Sequence, residues 1–184
     1  MRDRSDIERF FDHCVYIPTR TIFLNDEVDQ DLVDVAIKGL HILDSQSTAP
    51  ITVILNTVGG DEYHGMAIYD AIRSCRSLVT IKGMGHVMSM GSMIIQAADV
   101  RVMSPNSKFM FHYGDWGIDN HPKIAKQWMK EEEKFSAMME DLYLAKIREV
   151  HPRFTRNKLQ KMLDFDTILN AQEALELGLI DKID

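Results

Sequence analysis

Ile51-Thr52-Val53-Ile54-Leu55-Asn56 is a run of apolar and β-branched residues closed by a single asparagine. Such a run predicts a strand covered on both faces, the kind found inside a parallel sheet with helices packed on it. The flanking chain repeats the same alternation. Upstream, Arg20–Leu24 reads as a short strand and Val28–Leu43 as an amphipathic helix ending in the polar loop Asp44–Thr48. Downstream come Gly59-Gly60, a helix from about Tyr63 to Cys75, and a strand over Leu78–Lys82. The segment Gly83–Ser92 then joins that strand to a helix running through Ala98. Val100–Met103 and Lys108–Phe111 are two more strands, separated by the turn Ser104-Pro105-Asn106-Ser107. This order predicts an α/β fold of parallel strands linked by right-handed helical crossovers.

A chain of 184 residues fits one domain able to bury roughly 70% of its unfolded surface. A net charge of −7 argues against nucleic acid or an anionic membrane as partner, since both call for basic surface. No apolar run approaches the ~18 residues of a membrane span, and the opening residues carry no apolar core of a signal peptide. Cys14 and Cys75 are isolated and lack metal-ligand spacing. They suit a reducing compartment, so a cytoplasmic location and no metal are expected.

From Pro122 to about Val150 the pattern becomes one long helix. Apolar residues recur at Ile124, Trp128, Phe135, Met138, Leu142 and Ala145, with Met129, Met139, Tyr143 and Ile147 widening the stripe. At about 1.5 Å per residue it reaches about 40 Å, more than a small domain needs to cover its own sheet. That surplus suits subunit association, a cover helix of the same subunit being the alternative. Thr155 caps a short helix through Leu163, and Asn170-Ala171-Gln172-Glu173 has the form of a capping box opening a last helix that stops at Gly178.

Ser89 stands at a strand-to-helix junction with glycines on both sides, where a hydroxyl can stand clear of a sheet and face a helix N-terminus. Serine hydrolysis needs such a nucleophile, a base within hydrogen-bond reach, a carboxylate to orient the base, and N–H donors for the oxyanion. His112 ends a strand that can aim it at the same sheet edge, although alone it equally fits a loop-boundary histidine. Asp166 lies between apolar residues just before a capped helix, where a turn residue is the plainer reading. Gly59-Gly60 follows a buried strand, so its backbone N–H groups can face a ligand or simply form the turn into the next helix. His86 is also near Ser89, but three residues along a tight turn seldom allow side-chain contact.

Several stretches, in this order, resemble the proteolytic-subunit family of the Clp protease (ClpP). Asn56-Thr57-Val58-Gly59-Gly60 is similar to the family's Asn-Ser-Pro-Gly-Gly loop, and Gly65-Met66-Ala67-Ile68-Tyr69-Asp70 to its following helix. Gly85-His86-Val87-Met88-Ser89-Met90-Gly91-Ser92 corresponds to Gly-x-Ala-Ala-Ser-Met-Gly-Ala. Pro105-Asn106-Ser107 and Met110-Phe111-His112 match Pro-Asn-Ser and Met-Ile-His. Asp166–Ala174 matches Asp-Arg-Phe-Leu-Ser-Ala-Pro-Glu-Ala, and Glu176–Asp181 the closing Glu-Tyr-Gly-Leu-Val-Asp.

The resemblance implies the ClpP/crotonase-like fold: stacked βαβ units in a single peptidase domain over residues 1–184, with an N-terminal segment over 1–19 and a projecting handle helix over 122–150. It implies a serine endopeptidase with nucleophile Ser89, base His112, orienting acid Asp166 and oxyanion donors in the backbone N–H groups of Gly60 and Met90. No cofactor is implied. Subunits would form heptameric rings stacked as a tetradecamer, fed with unfolded polypeptides by a hexameric AAA+ unfoldase that consumes the ATP. This chain departs from the pattern at Val58, where the family has Pro, and at Val87-Met88, where it has a small pair; the latter predicts a narrower or differently shaped cleft around Ser89. Asp164-Phe165 replaces the family's Asp-Arg, removing an ion pair that links ring pairing to the triad. The residues ahead of the first strand are poor in the family's axial-loop pattern. Two alternatives are an inactive or regulatory ring subunit and a crotonase-type acyl-CoA enzyme, for which Asp61-Glu62 beside the glycine loop are the carboxylates to check.

Overall fold

The protein is described by a computed structural model covering residues 13–114, 117 and 121–184. Residues 1–12 of the expected N-terminal segment lie outside the described residues. Among the described residues one sheet carries every strand. Its main path begins with β1 (Val15–Tyr16), antiparallel to β2 (Thr21–Leu24), and continues through β3 (Ile51–Thr57), β4 (Val79–Met88), β5 (Val100–Met103) and β8 (Lys182–Ile183), all parallel. Off this path, β6 (Lys108–Phe111) runs parallel to β4, and β7 (Thr167–Asn170) runs antiparallel to β6. The α/β class stands, with two antiparallel pairs that the alternation of strand and helix did not announce.

The helices start where their capping chemistry starts them. Helix α1 (Gln30–Gln46) opens on Asp29, whose side chain accepts the Leu32 N–H at 3.0 Å. Val28, expected as the first helical residue, instead bridges to Gly60 and is fully buried. Asp61 caps α2 (Glu62–Arg73) by accepting from His64 N–H at 2.9 Å. After the short α3 (Met90–Ile94) come the long α4 (Pro122–Val150), α5 (Arg156–Leu163) capped by Thr155, and α6 (Ala171–Leu177). Asn170 and Glu173 form the expected capping box of α6, which stops at Gly178 with φ 84°. Among the described residues no helix is long and apolar enough to cross a membrane.

Two sequence expectations about strands need correction. Strand β3 is not covered on both faces: Ile51, Val53, Leu55 and Thr57 are buried, whereas Thr52, Ile54 and Asn56 are half-buried. Helices pack one face, and the other is left partly open in the protomer. The strand expected over Leu78–Lys82 runs on to Met88, so Gly83–Met88 is sheet and not a tight junction. Its register against β3 slips between Leu55 and Thr57, which face Gly83 and Val87. The surplus residues are accommodated at Gly85, with φ 71°, where Asn56 Oδ1 accepts the His86 N–H at 2.9 Å. Beyond this bulge β4 leaves β5 and takes β6 as its neighbour, turning its end away from the main path.

The core lies between the sheet and its helices. Ile22, Leu55, Ile68, Ile81, Phe109 and Phe111 are fully buried, each stabilising the fold by about 1.5–3 kcal/mol. From α4 the buried core residues Met139, Tyr143, Leu144 and Ile147 come from the second half, with Phe135 packed against them. Buried Arg101 ties the chain's end to β5: its guanidinium donates to Asp181 Oδ1 at 2.5 Å and to the Gly178 carbonyl at 3.0 Å.

Candidate active site

Ser89 follows β4 directly and has φ 49° and ψ −120°, a region that costs a non-glycine residue about 1–3 kcal/mol. Three hydrogen bonds hold it there. Its N–H donates to the Met110 carbonyl at 2.8 Å, and its carbonyl accepts from the Ser92 N–H at 2.9 Å and the Ser92 hydroxyl at 2.6 Å. The Ser92 hydroxyl in turn sits 2.6 Å from the Tyr143 hydroxyl, which is buried in α4. This sharp strand-to-helix turn thrusts the Ser89 side chain out of the sheet edge.

Sheet register brings the other two residues to it. Met88 faces Met110 on the parallel β6, so His112 emerges from the same edge just past Ser89. Phe111 faces Thr167 on the antiparallel β7, so the next residues outward, His112 and Asp166, stand opposite one another. His112 Nε2 lies 3.0 Å from Ser89 Oγ, and His112 Nδ1 lies 2.7 Å from Asp166 Oδ1. With the imidazole proton on Nδ1 donated to Asp166, the Nε2 lone pair accepts from the serine hydroxyl. The His112 side chain is 22% exposed and that of Asp166 66%. His86 is exposed beyond the bulge.

Gly59 and Gly60 form the facing wall. A Cβ on Gly59, at φ 107°, would fall 2.5 Å from Ser89 Cβ; one on Gly60, at φ 149°, would fall 2.4 Å from the Val28 carbonyl oxygen. Only glycine permits both approaches. In the parallel bridge to Val28, the Gly59 carbonyl and the Asp61 N–H make the hydrogen bonds. The Gly60 N–H is therefore turned away from Val28. The Met90 N–H sits at the first position of α3, where a helix offers no internal acceptor. Among the described residues neither N–H donates to a protein acceptor.

A cleft of about 400 Å³ contains Ser89, His112, Gly60 and Met90. Met93, Phe135 and Met139 give it an apolar wall. Val87 and Met88 do not line it: Val87 is fully buried in the core, so this pair does not crowd the cleft by entering it. Three acids do line it, Asp61 and Glu62 at the start of α2 and Glu132 from α4. Burial, reinforced by the charges of Glu132 and Asp61, pushes the Glu62 carboxyl up to about 7. Glu62 had a sequence signal in its place after the glycine loop. Glu132 had none, since it lies in an acidic run that reads as solvated helix surface. Among the described residues no group of three or more His, Cys, Asp or Glu side chains is placed to hold a metal ion.

Comparison with known proteins agrees with this arrangement of strands and loops. The family model described as Clp protease matches residues 7–184. An ATP-dependent Clp protease proteolytic subunit from Deinococcus radiodurans is 31% identical, over 96% of this chain and 86% of its own. Proteolytic subunit 2 from Treponema denticola is 33% identical over 91% of this chain and 83% of its own. Among solved structures, a ClpP1 variant from Listeria monocytogenes superposes with a TM-score of 0.80 at 28% identity, covering 91% of this chain and 92% of the other. With a family model spanning nearly the whole sequence and relatives above 30% identity along most of their length, the chain belongs to the Clp protease family.

Proposed function

We propose that this protein is a serine endopeptidase subunit acting through Ser89, His112 and Asp166. The observation that carries the reading is the unbroken relay from Ser89 Oγ to His112 Nε2 at 3.0 Å and from His112 Nδ1 to Asp166 Oδ1 at 2.7 Å. In this mechanism His112 takes the hydroxyl proton as Ser89 attacks the peptide carbonyl, and Asp166 holds the imidazole and stabilises its cation. The Gly60 and Met90 N–H groups receive the oxyanion. His112 then passes its proton to the leaving amine, an acyl-enzyme forms on Ser89, and water activated by the same imidazole releases it. These steps call for no metal and no nucleotide.

The substrate is an extended polypeptide lying along the cleft, with one apolar side chain against Met93, Phe135 and Met139. The subunits assemble as heptameric rings stacked face to face, their active sites enclosed and supplied by a AAA+ unfoldase. Support comes from the first half of α4, where Ile124, Trp128 and Met129 are 43%, 48% and 52% exposed in the protomer. An apolar stripe of that kind is what a ring contact covers.

The test is reaction with a fluorophosphonate probe and hydrolysis of short fluorogenic peptides by the assembled protein. Wild type is expected to label and to cleave, and Ser89→Ala to do neither. Assembled wild-type protein that stays unlabelled would sink the reading in favour of an inactive ring subunit. Turnover of acyl-CoA thioesters without peptide cleavage would point to crotonase-type chemistry.

A further inference from the structure

Glu140 is one of the few buried charged side chains, 6% exposed on the core-facing side of α4, and no step of the proposed reaction uses it. Its carboxylate is nonetheless fully engaged. Oε1 accepts the Tyr113 hydroxyl at 2.6 Å, and Oε2 accepts Arg156 Nη1 at 2.5 Å. Gln160 Nε2 lies 3.3 Å from both oxygens. Arg156 also reaches Asp141 on α4 with its second nitrogen. Three pieces of chain therefore meet on one carboxylate: α4, the first residue and the middle of α5, and the residue after His112.

The circuit closes through the backbone. The Tyr113 N–H donates to the carbonyl of Leu163, the last residue of α5, at 2.9 Å. Asp166 follows three residues later, and the turn that carries it is held by the Thr167 hydroxyl donating to the Met162 carbonyl at 2.6 Å. Both partners of the His112–Asp166 contact thus hang from elements that Glu140 clamps together. An ion pair on a buried carboxylate is weak support for stability, because apolar replacements often serve as well; here its contacts tie α4, α5 and the Tyr113 segment together.

We infer that Glu140 is a positioning residue, holding α5 and the Tyr113 segment against α4 so that Asp166 stays on His112. The Tyr113–Glu140–Arg156 clamp is the route by which a shift of α4 reaches the triad. This rests on the hydrolase reading and deepens it, because α4 is the helix assigned to subunit contacts.

The experiment is a double-substitution cycle read as kcat and KM for a fluorogenic peptide. Glu140→Gln, nearly equal in volume, loses its pairing with Arg156. It is expected to lower kcat about ten- to a hundredfold with KM within about twofold, the scale of loss when a catalytic group is displaced by roughly an ångström. In the Asp166→Asn background the same substitution is expected to do nothing further, since the contact it protects is already gone. Losses that multiply instead, or an unchanged kcat, would overturn the inference. Arg156→Met, at a half-exposed side chain, makes the same cut if Glu140→Gln does not fold. A crystal structure of the variant supplies a readout independent of turnover. A longer His112–Asp166 distance is expected, and 2.7 Å retained would refute the role. Wild type measured beside Ser89→Ala tests hydrolysis separately. If those two are equally inert, the hydrolase reading fails and the crystal structure alone decides on Glu140.

Discussion

Glu62 faces the cleft from the first turn of α2, beside a second carboxyl and with burial as the main cause of its raised pKa, about 7. The folded state therefore favours the protonated form. The stability this contributes is fully present below the ordinary carboxyl value of 4.5 and is lost as pH rises through about 7. Glu62→Gln, which imitates the neutral form, is expected to be the more stable protein at pH 8 and no more stable at pH 4. Glu62 is half-buried and keeps some contact with water, so solvent screening reduces the gain to on the order of 1 kcal/mol. Thermal unfolding of both proteins at the two pH values, at one protein concentration, checks the sign. A gain that is equal at both would remove the ionisation from the explanation. Gly59 and Gly60 belong to the same scale. Their motif is plain in the sequence, but the approach of Gly59 to Ser89 exists only in the fold, because it is set between two different βα turns.

Elements explain how three residues scattered over the chain converge. The strand carrying Ser89 changes neighbours at the Gly85 bulge, and the strand ending at His112 receives β7 from the far end of the sequence. Nothing along the chain announces Thr167–Asn170 as a strand. Four residues, followed at once by a capped helix, carry too little alternation to signal pairing, and the pairing is non-local. Without β7, Asp166 is a turn residue. With it, Asp166 faces His112 across an antiparallel ladder. Helix α4 lines the cleft with Glu132, Phe135 and Met139 and braces the triad from behind at Glu140 and Tyr143. The Tyr143 hydroxyl donates to Ser92, which keeps its own two hydrogen bonds to the Ser89 carbonyl. Tyr143→Phe is therefore expected to cost about 1–2 kcal/mol of stability in chemical denaturation, while kcat stays within a few-fold. A large fall in kcat without loss of stability would mean that Tyr143 acts on the triad as Glu140 does.

At the scale of the whole molecule, the protomer leaves much apolar surface uncovered. The first half of α4 exposes Ile124, Trp128 and Met129, one sheet face is half open, and Phe165 and Ile168 flank Asp166 at 76% and 58% exposure. These surfaces lie on the elements that also hold the triad, so the proposed assembly and the triad geometry share a framework. Replacing Ile124 and Trp128 together by Asp is expected to shift sedimentation from the full particle to smaller species while helix content is retained. A particle of unchanged size would show that α4 lies outside the contact and would return it to the role of a cover helix.

Local chemistry in the sequence determined much of this protein. Strand runs, capping residues, the glycine loop and the motifs around Ser89, His112 and Asp166 depend on neighbours a few residues away, so they are legible along the chain. The βα alternation and the long α4 follow from periodicity for the same reason. Tertiary structure alone decided which faces stay open, that Val87 enters the core instead of the cleft, and that Glu62 meets Glu132. It also decided that Glu140 joins Tyr113 to Arg156. Those outcomes depend on register between strands and on packing between helices distant in sequence. No short-range pattern encodes them, because burial and charge pairing are properties of the space that the folded elements enclose together.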